Sequence, residues 1–157
     1  MMERSYFNKI LRANLSEGTL SVDEPGHTYF RRYLGGWNMI ADTLLRDVPR
    51  GAAPLGPENK LIFANGVLTG LPAAGMARSA IGAKSPLTGG FGAAEVGGYF
   101  GAQLKRSGFD GVIVEGVARV PAYLWIHDGQ AELRDASGLW GMTTKETQEA
   151  IRQDLGD

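Results

Sequence analysis

Ten glycines fall between Asn65 and Gly101, and no other feature of this chain limits its fold as strongly. Glycine gives up the most backbone entropy on folding, and in return it admits left-handed dihedrals and close backbone approach. A stretch this rich in glycine needs a compensating role. One role is a cradle of N–H groups around an anionic ligand. The others are a set of tight turns within a compact core, or simple flexibility. The interleaved Leu, Val, Ile and Phe side chains argue against a disordered linker.

The stretch divides into readable pieces. Leu61 to Ala64 has the apolar run of a buried strand, and Ala77 to Lys84 reads as a second strand with Arg78 at its start. Val67-Leu68-Thr69-Gly70 and Pro86-Leu87-Thr88-Gly89 repeat one phrase. In each, the threonine hydroxyl can bond local backbone while the glycine takes an unusual dihedral. A helix is expected over 95–107, with Phe100 and Leu104 on one side, Tyr99, Gln103 and Arg106 on another, and Gly108 as its C′ cap. It follows a glycine loop, so its first amides can receive negative charge. Lys105 lies toward its far end and reads as remote from any site. Arg78 has two readings: a solvated or ion-paired arginine, or a fork that grips phosphate or a planar heterocycle. No Gly-Lys-Thr or Gly-Lys-Ser follows the glycines, so this is not the loop of a nucleotide hydrolase. Gly97-Gly98 with Gly101 also lacks the spacing of a dinucleotide fingerprint.

The flanks alternate hairpin and helix signals. Tyr6 to Leu15 reads as a strand, Ser16-Glu17-Gly18 as a turn, and Thr19 to Val22 as the returning strand. From Thr28 to Val48 the period becomes helical, with Phe30, Leu34, Trp37, Ala41, Leu44 and Val48 on one face. Gly35-Gly36 weakens its middle and can mark a break. The pair serves either close packing on the sheet or a helix start facing an anion. Pro49 ends the helix. Further on, Pro121 to His127 alternates as a strand, Asp128-Gly129 gives a type I′ turn, and Ala131 to Arg134 returns. Thr143 and Glu146 make a capping box before a helix with a thin apolar face of Ile151 and Leu155. His27 and His127 have no companion ligands at metal-site spacing and read as structural residues.

Length and charge set the outer limits. A chain of 157 residues suits a single domain. The formal net charge of -1 gives no electrostatic case for nucleic acid. The absence of cysteine excludes disulfides, thiolate zinc sites and cysteine-ligated iron–sulfur clusters within these residues. The start, Met1-Met2-Glu3-Arg4-Ser5, leads into no apolar targeting core, and no run approaches a membrane span, so a cytoplasmic location is expected.

Taken in order, the phrases resemble one family. They are Pro57-Glu58-Asn59-Lys60-Leu61, Leu68-Thr69-Gly70, Lys84-Ser85-Pro86-Leu87-Thr88-Gly89 and Gly97-Gly98-Tyr99-Phe100-Gly101. Leu104-Lys105, Val114-Glu115-Gly116, Asp135-Ala136, Leu139-Trp140-Gly141 and Glu146-Thr147 follow. Their order and intervals, from Tyr6 onward, resemble the N-terminal domain of the tungsten-containing aldehyde:ferredoxin oxidoreductases. The resemblance implies a share in holding a tungsten bis-pyranopterin, with molybdenum as the alternative metal. It further implies pterin phosphates that meet across Mg2+. It assigns Arg78, Gly97 and Gly98 to cofactor binding. The position usually held by asparagine near the magnesium falls on Glu95, which becomes both a cofactor-binding and a metal-binding candidate. A carboxylate there would repel phosphate unless a cation intervenes. The family's Gly-Gly-Arg-Gly phrase appears as Gly35-Gly36-Trp37-Asn38, without its arginine.

The expected fold is α+β, with antiparallel or mixed β-sheets and about three helices, near 28–48, 95–107 and 144–154. Loops 66–78 and 89–98 should lie on the cofactor side. Residues 1–157 are expected to form one incomplete tungstopterin-binding domain with no catalytic residue of its own. The resemblance places a [4Fe-4S] cluster and the catalytic groups in further domains or in a larger partner subunit. Ferredoxin would be reached through that complex, homo-oligomers are possible, and neither nucleic acid nor membrane is expected as a partner. The reaction implied is oxidation of aldehydes to carboxylic acids. The competing reading is a structural or protein-binding module derived from the same domain, without cofactor.

Overall fold

The computed structural model describes residues 5–156. Met1 to Arg4, part of the start read above as lacking a targeting core, and Asp157 lie outside the described residues. In chain order the elements are β1 (Ile10–Asn14), β2 (Thr19–Asp23), α1 (His27–Tyr33), α2 (Gly36–Asp47), β3 (Lys60–Asn65) and β4 (Ser79–Lys84). They continue with β5 (Phe91–Val96), α3 (Phe100–Arg106), β6 (Gly111–Glu115), β7 (Ala122–His127), β8 (Gln130–Asp135) and α4 (Thr144–Leu155). Six strands form one sheet in the order β2-β1-β6-β3-β4-β5, and β7 and β8 form a separate hairpin. Pairing is antiparallel except between β1 and β6, where Ile10 lies opposite Gly111 and Asn14 opposite Glu115 in a parallel ladder. The α+β expectation with mixed sheets holds.

Both faces of the large sheet are covered, which explains why Val112 and Ile113 are buried although adjacent strand residues point to opposite sides. On one face Ile10, Ile62, Ala64, Ala80 and Ile113 meet Met39 and Ile40 of α2. On the other, Leu11 and Val112 meet Leu104 of α3 and Phe109, with Leu124 and Ile126 of the hairpin at the margin. Charges lie at the edge of the α2 face. Arg12 bonds Asp23 at 3.0 Å, Asp47 at 2.9 Å and Glu115 at 3.3 Å, and Lys60 also pairs with Glu115.

Three expected elements differ from those observed. The strand over Tyr6–Leu15 is confined to Ile10–Asn14, because Asn8 takes a positive φ of 63° and the Phe7 and Lys9 amides go to the Asp110 carboxylate rather than to a neighbouring strand. The helix over 28–48 is two helices. Leu34 and Gly35 adopt positive φ of 57° and 80°, which stops α1 and restarts the phase in α2. The buried residues are therefore Phe30, Met39, Ile40 and Thr43, while Leu34 and Trp37 of the expected face are exposed. The break is imposed by close approach: a Cβ on Gly35 would stand 2.0 Å from the Asn65 carbonyl oxygen. The helix over 95–107 starts later, at Phe100, and Glu95 belongs to strand β5 instead. Phe91-Gly92-Ala93-Ala94-Glu95-Val96 pairs in full with β4, from Lys84↔Phe91 to Ser79↔Val96. Cross-strand hydrogen bonding overrides the weak strand preference of glycine and alanine there.

Turn and cap chemistry matches the sequence. Asp128 and Gly129 both have positive φ, 44° and 77°, as a type I′ hairpin requires. Thr143 and Glu146 cap α4 reciprocally. Gly108 ends α3 at φ 97°. Val48 is extended before Pro49, as the proline ring demands of its predecessor.

Candidate functional site

The β4–β5 hairpin sets the geometry of the candidate site. Its closed end is the turn at 85–90, where the Ser85 hydroxyl accepts from the Leu87 and Thr88 amides and Gly89 takes φ 70°. Its open end is where Arg78 enters β4 and Gly97 leaves β5. Ser79 is paired with Val96, so Arg78 and Gly97 follow directly at the mouth. Glu95 sits opposite Ala80, one diagonal step from Arg78. The structure therefore brings Arg78, Glu95, Gly97 and Gly98 together. Loops 66–78 and 97–99 share this end. The 89–90 part of the expected 89–98 loop does not, because β5 spans 91–96 and a six-residue strand is about 20 Å long.

The mouth is open, and Leu68, Val96, Tyr99 and Phe100 expose apolar surface beside its polar groups. Arg78, Glu95 and Gly98 are exposed and Gly97 is half-buried. Gly98 has φ 76°, and Cβ atoms built on Gly97 or Gly98 would meet nothing within 4 Å. These two glycines are thus not required by packing among the described residues. An exposed guanidinium beside an unobstructed glycine loop suits an anionic or planar ligand approaching the backbone closely. A phosphate-bearing pterin fits that donor set. A magnesium ion would find one carboxylate here, Glu95. Among the described residues no group of three or more His, Asp or Glu side chains is placed to hold a metal ion. Any cation at Glu95 needs most of its ligands from the cofactor phosphates or from other chain segments. His27 stacks on Tyr6 at 5.8 Å, and His127 stacks on Trp125 at 3.8 Å, so neither histidine joins the site.

Beneath the mouth is a layer whose supporting role the sequence reading missed. Thr69 is 6% exposed. Its hydroxyl donates to the Arg78 carbonyl at 2.6 Å and accepts from the Gly66 amide at 2.9 Å. Asn65 Nδ2 donates to the Gly101 carbonyl at 3.1 Å. Gly101 has no room for a side chain: a Cβ would lie 2.9 Å from the Thr69 methyl and 3.2 Å from Ser79 Cβ. The Asn65–Gly70 turn therefore ties the start of α3 to the start of β4. The signal lies in Leu68-Thr69-Gly70, whose hydroxyl reaches beyond its own turn to the Arg78 carbonyl.

Lys105 is a correction of a different kind. It is not a free residue at the end of α3 but is 6% exposed, bonded to Asp110 and to the Ser5 carbonyl. The long side chain turns under the helix because Asp110, wholly buried, needs a cationic partner.

Known families, curated proteins and solved structures contain matches to this chain. Residues 10–157 match the family described as aldehyde ferredoxin oxidoreductase, N-terminal domain. The chain is 44% identical to a tungsten-containing aldehyde ferredoxin oxidoreductase of Pyrococcus abyssi, over 97% of this chain and 25% of that protein. It is 32% identical to the aliphatic sulfonate oxidoreductase, WOR-like subunit, of Pyrococcus furiosus, over 95% of this chain and 25% of that one. Among solved structures, the active site complex BamBC of benzoyl coenzyme A reductase, in complex with 1,5-dienoyl-CoA, superposes with a TM-score of 0.94. The identity is 34%, covering 99% of this chain and 24% of that chain. The chain thus spans about a quarter of the length of the relatives it matches. On this evidence the chain belongs to the aldehyde ferredoxin oxidoreductase family and corresponds to its N-terminal domain.

Proposed function

We propose that this domain forms one wall of a tungsten bis-pyranopterin site, with molybdenum as the alternative metal, in an enzyme that oxidises aldehydes to carboxylic acids. The observation that carries the reading is the convergence of Arg78, Glu95, Gly97 and Gly98 at the mouth of the β4–β5 hairpin, in a chain of this family. When bound, the cofactor supplies the two-electron chemistry in which an aldehyde and water give a carboxylic acid, two protons and two electrons. The domain's residues bind and orient. Arg78 donates charge-assisted hydrogen bonds to a pterin or its phosphate. Gly97 and Gly98 let the backbone approach, and Glu95 would supply an oxygen ligand to a magnesium ion there, from its carboxylate or its carbonyl. A [4Fe-4S] cluster would have to be held by further domains or a larger partner subunit, since this chain has no cysteine, and ferredoxin would be the external acceptor reached through that complex.

Arg78→Ala in the assembled enzyme tests this. Pterin content should fall, because removing a charged donor from a desolvated partner costs roughly 2–5 kcal/mol of binding. Thermal stability of the cofactor-free form should change little. Arg50→Ala is the control: Arg50 is exposed, and the Lys84 bond to the Ala52 carbonyl places that loop at the opposite end of β4. Equal pterin in wild type and Arg78→Ala, at matched metal supply, would reject the contact.

A second reading, a protein-binding module without cofactor, is favoured by exposed apolar side chains at Trp37, Leu45, Leu87 and Phe91. Purified assembled protein lacking tungsten, molybdenum and pterin phosphorus would select it.

A further inference from the structure

We infer that Thr69 is a positioning residue for the cofactor, acting through Arg78; this rests on the reading of the site above. Arg78 is exposed and lies one residue before β4, so packing does little to aim it. Its carbonyl is held by the Thr69 hydroxyl at 2.6 Å. That bond holds the peptide joining Arg78 to Ser79 in place and so narrows the backbone rotation that directs the Arg78 side chain. The hydroxyl is itself fixed by the Gly66 amide at 2.9 Å, so its one proton is directed to Arg78. The methyl group of the same side chain closes against Gly101 at the start of α3, where Asn65 also bonds. Gly97 and Gly98 lead into that start. The near-buried hydroxyl thus aims the guanidinium across the mouth from the glycine loop, while the methyl only packs the start of α3.

Threonine's two branches make the idea separable. Thr69→Val keeps the methyl contact and removes the hydroxyl. Thr69→Ser keeps the hydroxyl and removes the methyl. The experiment measures pterin and tungsten per protomer in the assembled enzyme, with thermal denaturation of each variant. Ile113→Val, in the core on the α2 face, is the variant that loses stability without touching the mouth. Expected are a roughly three- to tenfold drop in retained pterin for Thr69→Val, the size of a coupling within one hydrogen-bond network, and near-wild-type retention for Thr69→Ser and Ile113→Val. Adding Thr69→Val to Arg78→Ala should bring no further loss. Undiminished pterin in Thr69→Val, or a loss no greater than that of an equally destabilised Ile113→Val, overturns the inference. If Arg78→Ala loses pterin while Thr69→Val does not, the site stands and the positioning role falls. If Arg78→Ala retains pterin, the site reading falls, and with it any action of Thr69 through Arg78.

Discussion

Lys105 Nζ lies 2.5 Å from Asp110 Oδ1, with 7% and 1% of the two side chains exposed. The other carboxylate oxygen of Asp110 accepts from the Phe7 and Lys9 amides, and Lys105 also donates to the Ser5 carbonyl. The pair thereby fastens α3 and the segment before β1 to the start of β6. Removing one member leaves the other charge buried and alone, which costs about 3–5 kcal/mol. Lys105→Met should lower unfolding free energy by that order in chemical denaturation. Lys105→Met combined with Asp110→Asn should recover part of the loss. A change under about 1 kcal/mol for Lys105→Met, the level of an exposed pair, would show that the pair is hydrated in solution.

Gly35 and Gly36 make a matched test of backbone demands. Both have positive φ, but a Cβ on Gly36 meets nothing within 4 Å while one on Gly35 runs into the Asn65 carbonyl. Gly36→Ala should cost about 1–2 kcal/mol, the left-handed penalty of an L-residue. Gly35→Ala should cost clearly more, because β3 or the junction of α1 and α2 must also shift. Equal losses in denaturant titrations would contradict the close approach.

Acid stability should carry a signature of Asp47. Burial alone would raise its pKa, but hydrogen bonds from Arg46 and Arg12 outweigh that and hold it below the ordinary carboxylate value. A depressed folded value contributes stability that is complete above the unfolded value of about 3.9 and is lost as pH falls through the folded one. Melting temperature should therefore be insensitive to this group from pH 7 to about 5 and fall below pH about 4. Asp47→Asn should be less stable at neutral pH and show a shallower acid limb. An acid limb of unchanged slope would assign that loss to other carboxylates.

Thr143→Ala removes one half of the capping box that starts α4. No residue of α4 is buried, so the cost of about 1 kcal/mol should appear as local fraying. Amide hydrogen exchange should accelerate across 144–148 and remain unchanged in β6. Uniform acceleration through the sheet would mean that α4 supports the core.

Where an element announces itself by local chemistry, its residues revealed it. The Asp128-Gly129 turn, the Thr143–Glu146 box and the Gly108 cap need no partner beyond a few neighbours, and all three stand where expected. What was hidden depends on distant partners. Ala93 and Ala94 become strand because β4 offers them hydrogen bonds. The buried face of the second helix follows from Gly35 pressing on Asn65, thirty positions away in sequence. The mouth residues Arg78, Gly97 and Gly98 were legible through family phrases, and strand register then put them side by side. The Thr69 phrase shows a hydroxyl free to bond backbone, but its decisive partner, the Arg78 carbonyl nine positions on, is main chain and leaves no mark on residue type.

The parallel pairing of β1 with β6 also dictates an order of events during synthesis. β6 lies between β1 and β3, so the sheet cannot close until Gly111–Glu115 has left the ribosome. Until then the backbone groups of β1 that pair with β6 lack their ladder partners. Such distant pairing slows folding toward the millisecond-to-second range of β-rich domains. Once residue 115 is available, the six-strand sheet can assemble without the β7–β8 hairpin or α4. The Arg78 mouth can thus be in place before β7, β8 and α4 emerge.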